Sequence, residues 1–433
     1  MDLDIVRKDL LAACPEFYEP AAAGAIGEAG AVPTFGALPG STEQAAAVMR
    51  VAAEHRLAVV PRGRGSRLSW GTPASRCDLT VDMSRMASVV EHSHGDLVAR
   101  VQAGARMADV QAALARAGQE IALDVPGDAT VGGVVASGLA GARRLRYGTP
   151  RDLLIGITIV RADGTVAKSG GKVVKNVAGY DLGKLFAGSA GTLGLITEAT
   201  FRLHPLPAAR AYVTARYAAA AAAVDAVAAA ANSPLVPSAV EVFRRGRDQV
   251  EVGVLLEGSA DGVTTRAARM AGLLGSGEVS ADPPSWWPGT RTARRRQPAR
   301  KLRVQVSCWV SALGDVLDAI DASATATRLN ARISGPAGAG VLDVALSQWV
   351  TRDPPPEGVR AQSVAEFVGR LRESLDGQRG KVVVLAAPAP VREALADRGG
   401  MNGAVPGLAL MRAVKDQFDP GHRMSPGRFP ETS

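Results

Sequence analysis

Sulfur ligands are scarce in this 433-residue chain. It holds three widely spaced cysteines, Cys14, Cys77 and Cys308, and no Cys-x-x-Cys pair. That excludes an iron–sulfur cluster or a structural zinc site carried by the chain, and an odd, sparse count fits a reducing compartment. Histidine is scarce too: His55, His92, His94, His204 and His422 are all there are, and positions 205–421 contain none. His92 and His94 sit in a polar stretch, EHSHGD, between two expected strands. Two histidines without a third ligand define no site, so no metal is expected. Aromatic residues make up only 4% of the chain, which gives nucleic acid little to stack on. The N-terminus, MDLDIVRKDLLAAC, lacks a basic segment followed by an apolar core, and no apolar run is long enough to cross a bilayer. The expectation is a cytoplasmic protein without a signal peptide, associated with membranes at most peripherally.

What is present describes an Ala/Gly-rich globular protein. Hydrophobic residues reach 47%, too many for a disordered chain. The length exceeds one ordinary core and suggests two or three domains. The net charge of +8 is modest and partly concentrated in 291–303, RTARRRQPARKLR. A basic run is usually a solvated surface. This one lacks interleaved aromatics beyond Trp286-Trp287, so it is assigned to a partner interface and no nucleic acid is expected.

Along the chain, positions 1–32 are weakly patterned. Ser41 with Gln44 three residues later forms a capping box ahead of a helix whose Ala45, Val48, Met49 and Ala52 share one face. It ends near His55. Strands are expected at 57–60, 79–82 and 97–102, and a helix at 106–117 closed by Gly118. This alternation predicts an α+β domain over 33–207, bounded by the LHPLP at 203–207, whose two prolines stop either period. A second domain, 208–405, carries helices at 218–231, 263–274 and 313–326 and strands at 250–256, 302–308 and 381–386. Strand-then-helix occurs twice there, which predicts an antiparallel sheet covered by helices on one face, a cap. Positions 283–300 read as a loop. The tail, 406–433, offers a helix at 408–418 and then DPGHRMSPGRFP.

Three glycine-dense segments lie in the first domain. Pro61-Arg62-Gly63-Arg64-Gly65-Ser66-Arg67 follows a strand; its glycines allow close backbone approach to an anion and its arginines supply charge, so a phosphate or pyrophosphate is the natural guest. The dinucleotide fingerprint G-x-G-x-x-G fails here, because Leu68 stands at the third glycine and no helix follows. Gly171-Lys172 and Gly183-Lys184 are followed by apolar residues, so neither is a P-loop. The second segment, PGDATVGGVVASG at 126–138, is too long for a turn and too rich in small residues for an ordinary helix; it suits backbone lying against a planar ligand. The third, GSAGTLGLIT at 188–197, leads into a strand at 199–203.

The order PRGRGS, PGDATVGGVVASG, RYGTPRDLLIG and GGKVVKNVAGYDLGKLFAGSAGTLGLITEATFRL resembles the vanillyl-alcohol-oxidase-like (PCMH-type) FAD-linked oxidases over about 33–207. Within them, KNVAGYDLGKLFAGSAGTLG and FDPGHRMSPGRFP look most like the E-type FAD-binding subunits of bacterial glycolate oxidase. The resemblance implies a two-subdomain PCMH-type FAD-binding domain, then an α/β cap with an antiparallel sheet, then a tail returning to the flavin domain. It implies that Arg62, Gly63, Arg64, Gly65, Ser66 and Arg67 wrap the pyrophosphate of FAD. Pro126, Gly127, Thr130, Gly132, Gly133 and Ser137 would line the isoalloxazine and ribityl portion. Tyr147, Gly148, Arg151 and Asp152 would continue the wall, Gly191 and Thr192 would pack beside the cofactor, and Ile196 would face the adenine or its ribose. Lys175, Asn176, Tyr180 and Asp181 lie in a stretch typical of the family, where packing explains them as well as cofactor contact does. No His or Cys occurs in 61–73 or 126–152, so FAD is expected to be held non-covalently.

Dehydrogenating a 2-hydroxy acid needs an anchor for the carboxylate and a base for the hydroxyl proton. Related catalytic subunits supply histidines from the cap; this cap has none. His422 and Arg423, in the tail, are the late candidates. The departure fits a flavin subunit of a multi-subunit glycolate (2-hydroxy acid) oxidase, working with a related catalytic flavoprotein subunit and an iron–sulfur subunit. The alternative is a self-sufficient FAD-dependent oxidoreductase with an arginine-based site at Arg412, Arg423 or a cap arginine.

Overall fold

The computed structural model describes residues 2–19, 31–171, 180–247, 249–275, 277–289, 302–348, 360–376 and 380–428. The chain divides into two compact units. The first comprises Met1–Ala140, Gly148–Leu206 and Val405–Glu431; the second comprises Gly141–Tyr147 and Pro207–Ala404.

In the first unit, helix Thr42–Glu54 begins where the Ser41 side chain accepts from the Gln44 amide at 3.2 Å. The second arm of this box reaches one residue further back than the motif predicts: Gln44 Oε1 accepts from the Gly40 amide at 2.7 Å. The helix buries Ala45, Val48, Met49 and Ala52 against strands Phe35–Ala37, Leu79–Asp82 and Val59–Arg62, which run parallel to one another. A five-stranded antiparallel sheet follows, in the order Val89–Ser93, Val98–Gln102, Leu195–Arg202, Leu154–Val160 and Val166–Gly170. Leu195 and Val160 of that sheet pack into the core built around the parallel strands, which locks the two layers together.

Residues 126–138 do not lie flat. They contain a helix, Val131–Ser137, which the density of glycine argued against. Thr130 caps it by accepting from the Gly133 amide at 3.3 Å, and Val131, Val134 and Val135 are buried. Capping and burial of three valines outweigh the roughly 1 kcal/mol that each glycine costs in a helix.

The second unit is built on an eight-stranded antiparallel sheet in the order Glu278–Ser280, Ala209–Tyr217, Val250–Gly258, Ala239–Arg245, Leu329–Gly335, Val341–Gln348, Arg303–Cys308 and Gly380–Ala386. Val250, Val252, Val254 and Leu256 alternate onto one face, where they meet helices Ala220–Ala231, Ala260–Leu273, Leu313–Ala326 and Ala361–Ser374. The opposite face carries Tyr212, Ala239, Phe243 and Leu255 beneath Trp286 and Trp287. Both indoles lie so close over Gly253 that a Cβ there would come within 2.7 Å of Trp286 and 2.9 Å of Trp287.

Gly141–Tyr147 interrupts the first unit in sequence and packs in the second, a departure from a continuous domain over 33–207. The reason is electrostatic. Glu257, 2% exposed, accepts from Arg143 Nη1 at 3.4 Å, from Arg210 Nε at 2.9 Å and from the Tyr147 hydroxyl at 3.3 Å. A carboxylate that deep in a sheet requires such partners.

Candidate functional site

The glycine-dense segments of the first unit converge. Strand Val59–Arg62 delivers the chain into the Arg-rich loop, where a Cβ on Gly63 would stand 2.2 Å from the Thr130 Oγ1. Only glycine permits that approach. On the far side of the same helix, a Cβ on Gly132 would be 2.8 Å from the Ala103 Cβ, and the Gly132 amide donates to the Ala103 carbonyl at 2.7 Å. The third segment joins at the C-terminal end of this helix: the Gly188 amide donates to the Val135 carbonyl at 2.9 Å and the Ala190 amide to Ala136 at 2.8 Å. Gly191, in the left-handed region at φ 73°, sits 3.4 Å from Pro61 by the same measure. Three segments far apart in sequence therefore share one locus.

The side chains predicted to act there are placed as follows. Arg62 is half-buried, with Nε 3.9 Å from Asp82 Oδ2 and without a hydrogen-bond partner. Arg64 and Ser66 are exposed. The Arg67 guanidinium lies over the Trp70 ring, 5.2 Å from its centroid. Pro126 is exposed and Gly127 accepts from the Ala108 amide at 2.9 Å. The Ser137 hydroxyl is turned back onto its own helix, donating to the Gly133 carbonyl at 2.6 Å. Thr192 is buried and its hydroxyl donates to Ser189 at 2.7 Å. Ile196 packs in the apolar core of the antiparallel sheet.

Other predicted residues are engaged elsewhere. Gly148, Arg151 and Asp152 lie in one turn, where Asp152 Oδ2 accepts from the Thr149 amide at 2.7 Å and hydroxyl at 2.8 Å. Tyr147 belongs to the second unit. Tyr180 is 92% exposed, Asp181 pairs with Lys184 at 3.2 Å, and Lys175 and Asn176 lie outside the described residues, as does nearly all of the basic run 291–303. In the tail, His422 Nε2 is 2.9 Å from Asp416 Oδ1 at the surface. Arg423 donates to the carbonyls of Ala52 at 2.8 Å and Ala162 at 2.6 Å, and burial holds its pKa below the usual arginine value. Arg412 is exposed. His92 bonds Gln119 at 2.8 Å, and no cluster of three potential metal ligands occurs among the described residues.

The tail holds residues the motifs did not single out. Lys415 and Asp419 are buried side by side, with Nζ 2.5 Å from Oδ2. Their i, i+4 spacing, Lys before Asp, is the signal that marks them.

Residues 33–170 match the family described as FAD binding domain. Over these residues the chain is similar to an FAD-binding domain. Its cofactor is FAD, and the residues present fit it on structural grounds. At Gly63 and Gly132 the missing side chains let the Arg-rich loop pack on Thr130 and the capped helix pack on Ala103, which gathers the glycine-dense segments at one place. The buried, unsatisfied Arg62 Nε and the neighbouring Arg64 and Arg67 supply donors suited to a pyrophosphate.

Over 235 residues the chain is 34% identical to the glycolate oxidase subunit GlcD of Bacillus subtilis (strain 168), a match covering 53% of this chain and 48% of that protein. It is 38% identical over 154 residues to the glycolate oxidase subunit GlcE of Escherichia coli (strain K12), covering 35% of this chain and 43% of that one. The match spans less than half the length of either relative. Among solved structures, p-cresol methylhydroxylase with substrate bound aligns with a TM-score of 0.74 and 15% identity over 99% of this chain and 97% of its own. That likeness shows the fold: a PCMH-type FAD-binding domain followed by an α/β unit with an antiparallel sheet. No helix among the described residues is long and apolar enough to cross a membrane.

Proposed function

We propose that the chain is an FAD-linked oxidoreductase subunit that holds FAD non-covalently within a multi-subunit dehydrogenase of a 2-hydroxy acid such as glycolate. The observation that carries the reading is the convergence of the glycine-dense segments in the first unit, together with the absence of histidine from 205–421, which spans nearly all of the second unit. The relatives named as glycolate oxidase subunits support it. FAD supplies electron-pair acceptance and onward transfer; the chain's own residues bind and orient it. Gly63 and Gly132 let the backbone close in, and Arg62, Arg64 and Arg67 neutralise the pyrophosphate. The carboxylate anchor and the base would come from a related catalytic flavoprotein subunit, and an iron–sulfur subunit would take the electrons on. Three free cysteines fit a cytoplasmic setting.

The test is anaerobic mixing of the purified yellow chain with glycolate or D-lactate. The flavin band is expected to persist, and rapid bleaching by either acid overturns the subunit reading. Acid precipitation is expected to release the flavin into solution; yellow colour retained in the pellet overturns non-covalent binding. A second reading, a self-sufficient oxidoreductase, draws on Arg144 of the second unit. Its Nε donates to the Gly141 carbonyl at 3.3 Å, and a guanidinium is the group that grips a carboxylate in two-point fashion. Bleaching by either acid that is abolished in Arg144→Ala would select that reading.

A further inference from the structure

We propose that residues 415–428 act as a clasp that positions two of the FAD-contacting loops, with the buried Lys415–Asp419 pair as its positioning residues; this rests on FAD being the cofactor. The tail enters the first unit as an added strand. The Val59 amide donates to the Arg423 carbonyl at 2.8 Å and the Ser425 amide to the Val59 carbonyl at 2.8 Å, so Met424 pairs in parallel with Val59. That strand edge is the one that runs directly into Arg62 and Gly63. Beyond it, Arg428 reaches the same loop from its other end, donating to the carbonyls of Leu68 at 2.5 Å and Trp70 at 2.9 Å. The Arg-rich loop is thus held at both ends by the tail.

The same tail grips the third glycine segment. Lys415 is 3% exposed and Asp419 is fully buried. Lys415 Nζ has three protons and three acceptors: the Thr192 carbonyl at 2.6 Å, Asp419 Oδ2 at 2.5 Å and the Met424 carbonyl at 3.2 Å. Asp419 Oδ2 also accepts from the Met424 amide at 2.7 Å, and the Ser425 hydroxyl donates to the Gly191 carbonyl at 3.3 Å. One ammonium therefore ties the backbone of Gly191-Thr192 to the strand that registers Arg62 and Gly63. A buried ion pair is a poor source of stability compared with apolar packing, but its fixed donor geometry sets register. Here the register set is the spacing between two loops that must face the same cofactor. Loops without such a tie would have to be ordered at the moment of binding, which weakens affinity.

The experiment compares the full-length chain with Lys415→Met/Asp419→Asn, which removes both charges and leaves neither unpaired, and with Ser425→Ala. Three readouts are taken: the FAD dissociation constant from quenching of flavin fluorescence, the melting temperature of the FAD-free protein, and amide hydrogen exchange over 62–70 and 190–194 in the FAD-free protein. The expected result for the double variant is an FAD-free melting temperature within a few degrees of the parent. Its dissociation constant rises about tenfold or more, equivalent to about 1.4 kcal/mol, and exchange quickens in both loops; Ser425→Ala shifts the same way by less. A dissociation constant within twofold of the parent overturns the clasp, as does weaker binding that only tracks a lost fold in both variants. A parent chain that takes up no FAD overturns the cofactor assignment itself, and the clasp with it.

Discussion

The two units use small residues and buried charges differently. In the first, glycines bring backbone against backbone or side chain, as at Gly63 beside Thr130 and Gly132 beside Ala103, and these approaches gather loops around one locus. In the second, Val and Ala dominate a sheet-and-helix core, and Gly253 makes room for the unit's own tryptophans. Buried ionic groups follow the same division. Lys415 and Asp419 join tail to loops in the first unit, whereas Glu257 with Arg143 and Arg210 anchors Gly141–Tyr147 to the sheet in the second. The same physical device serves cofactor geometry in one unit and internal packing in the other.

The comparison is broken most directly at Gly63. Gly63→Val is expected to lower FAD affinity by at least about a hundredfold, since a Cβ 2.2 Å from Thr130 Oγ1 must displace the loop or the helix cap. The ratio of flavin to protein absorbance after gel filtration reads this out. Gly95→Ala, where nothing lies within 4 Å, is expected to leave it unchanged. A yellow Gly63→Val protein would refute the assignment of this loop.

The counterpart in the second unit is Glu257→Ala. It leaves Arg143, 5% exposed, without its carboxylate and is expected to destabilise the second unit by about 3–5 kcal/mol. Calorimetry should show the loss in one transition; a shift below about 1 kcal/mol would show that the pair is screened.

Cys77 gives a pH prediction in the first unit. Burial pushes its thiol up to about 11, with the Thr80 side chain acting in the opposite direction. The fold therefore favours the protonated form. The associated stability is fully present below about pH 8.5 and is lost as pH rises through about 11, amounting to about 3 kcal/mol. Denaturant melts at pH 8 and pH 11 should differ by more in the parent than in Cys77→Ala. Cys308, in the second unit, is also pushed up to about 11 by burial, so at pH 8 both thiols should react with iodoacetamide far more slowly than a free cysteine.

The smallest effect is expected at Ser41→Ala, which removes the N-cap of Thr42–Glu54 and should cost about 1 kcal/mol. Thermal denaturation monitored by circular dichroism would check it, with FAD affinity retained.

Much of the local structure was legible from periodicity and caps. The strand at 79–82 and the helix at 408–418 match their expected bounds, and the helices at 220–231 and 313–326 fall within two residues of theirs. Five strands of the second unit, Ala209–Tyr217, Ala239–Arg245, Glu278–Ser280, Leu329–Gly335 and Val341–Gln348, were not anticipated. Alternations of small and apolar residues, as in VLDVALSQ, do not separate strand from helix until a partner strand supplies the hydrogen bonds. The helix at Val131–Ser137 was missed because its capping by Thr130 and its buried valines outweigh a glycine content that local propensity counts against it. At the candidate site the loops were legible because glycine and arginine types carry their own physical meaning. Their partners were not.

The sequence by itself determined that glycine stands at positions 63 and 132, that arginines accompany the first of these, and that 205–421 offers no imidazole. Each follows from residue chemistry alone. Only the tertiary structure decided that Gly141–Tyr147 joins the second unit and that Lys415 lies against Thr192, 223 residues away in the chain. A buried charge takes whichever partners the folded chain brings within hydrogen-bond reach, and no local pattern encodes a contact over that separation.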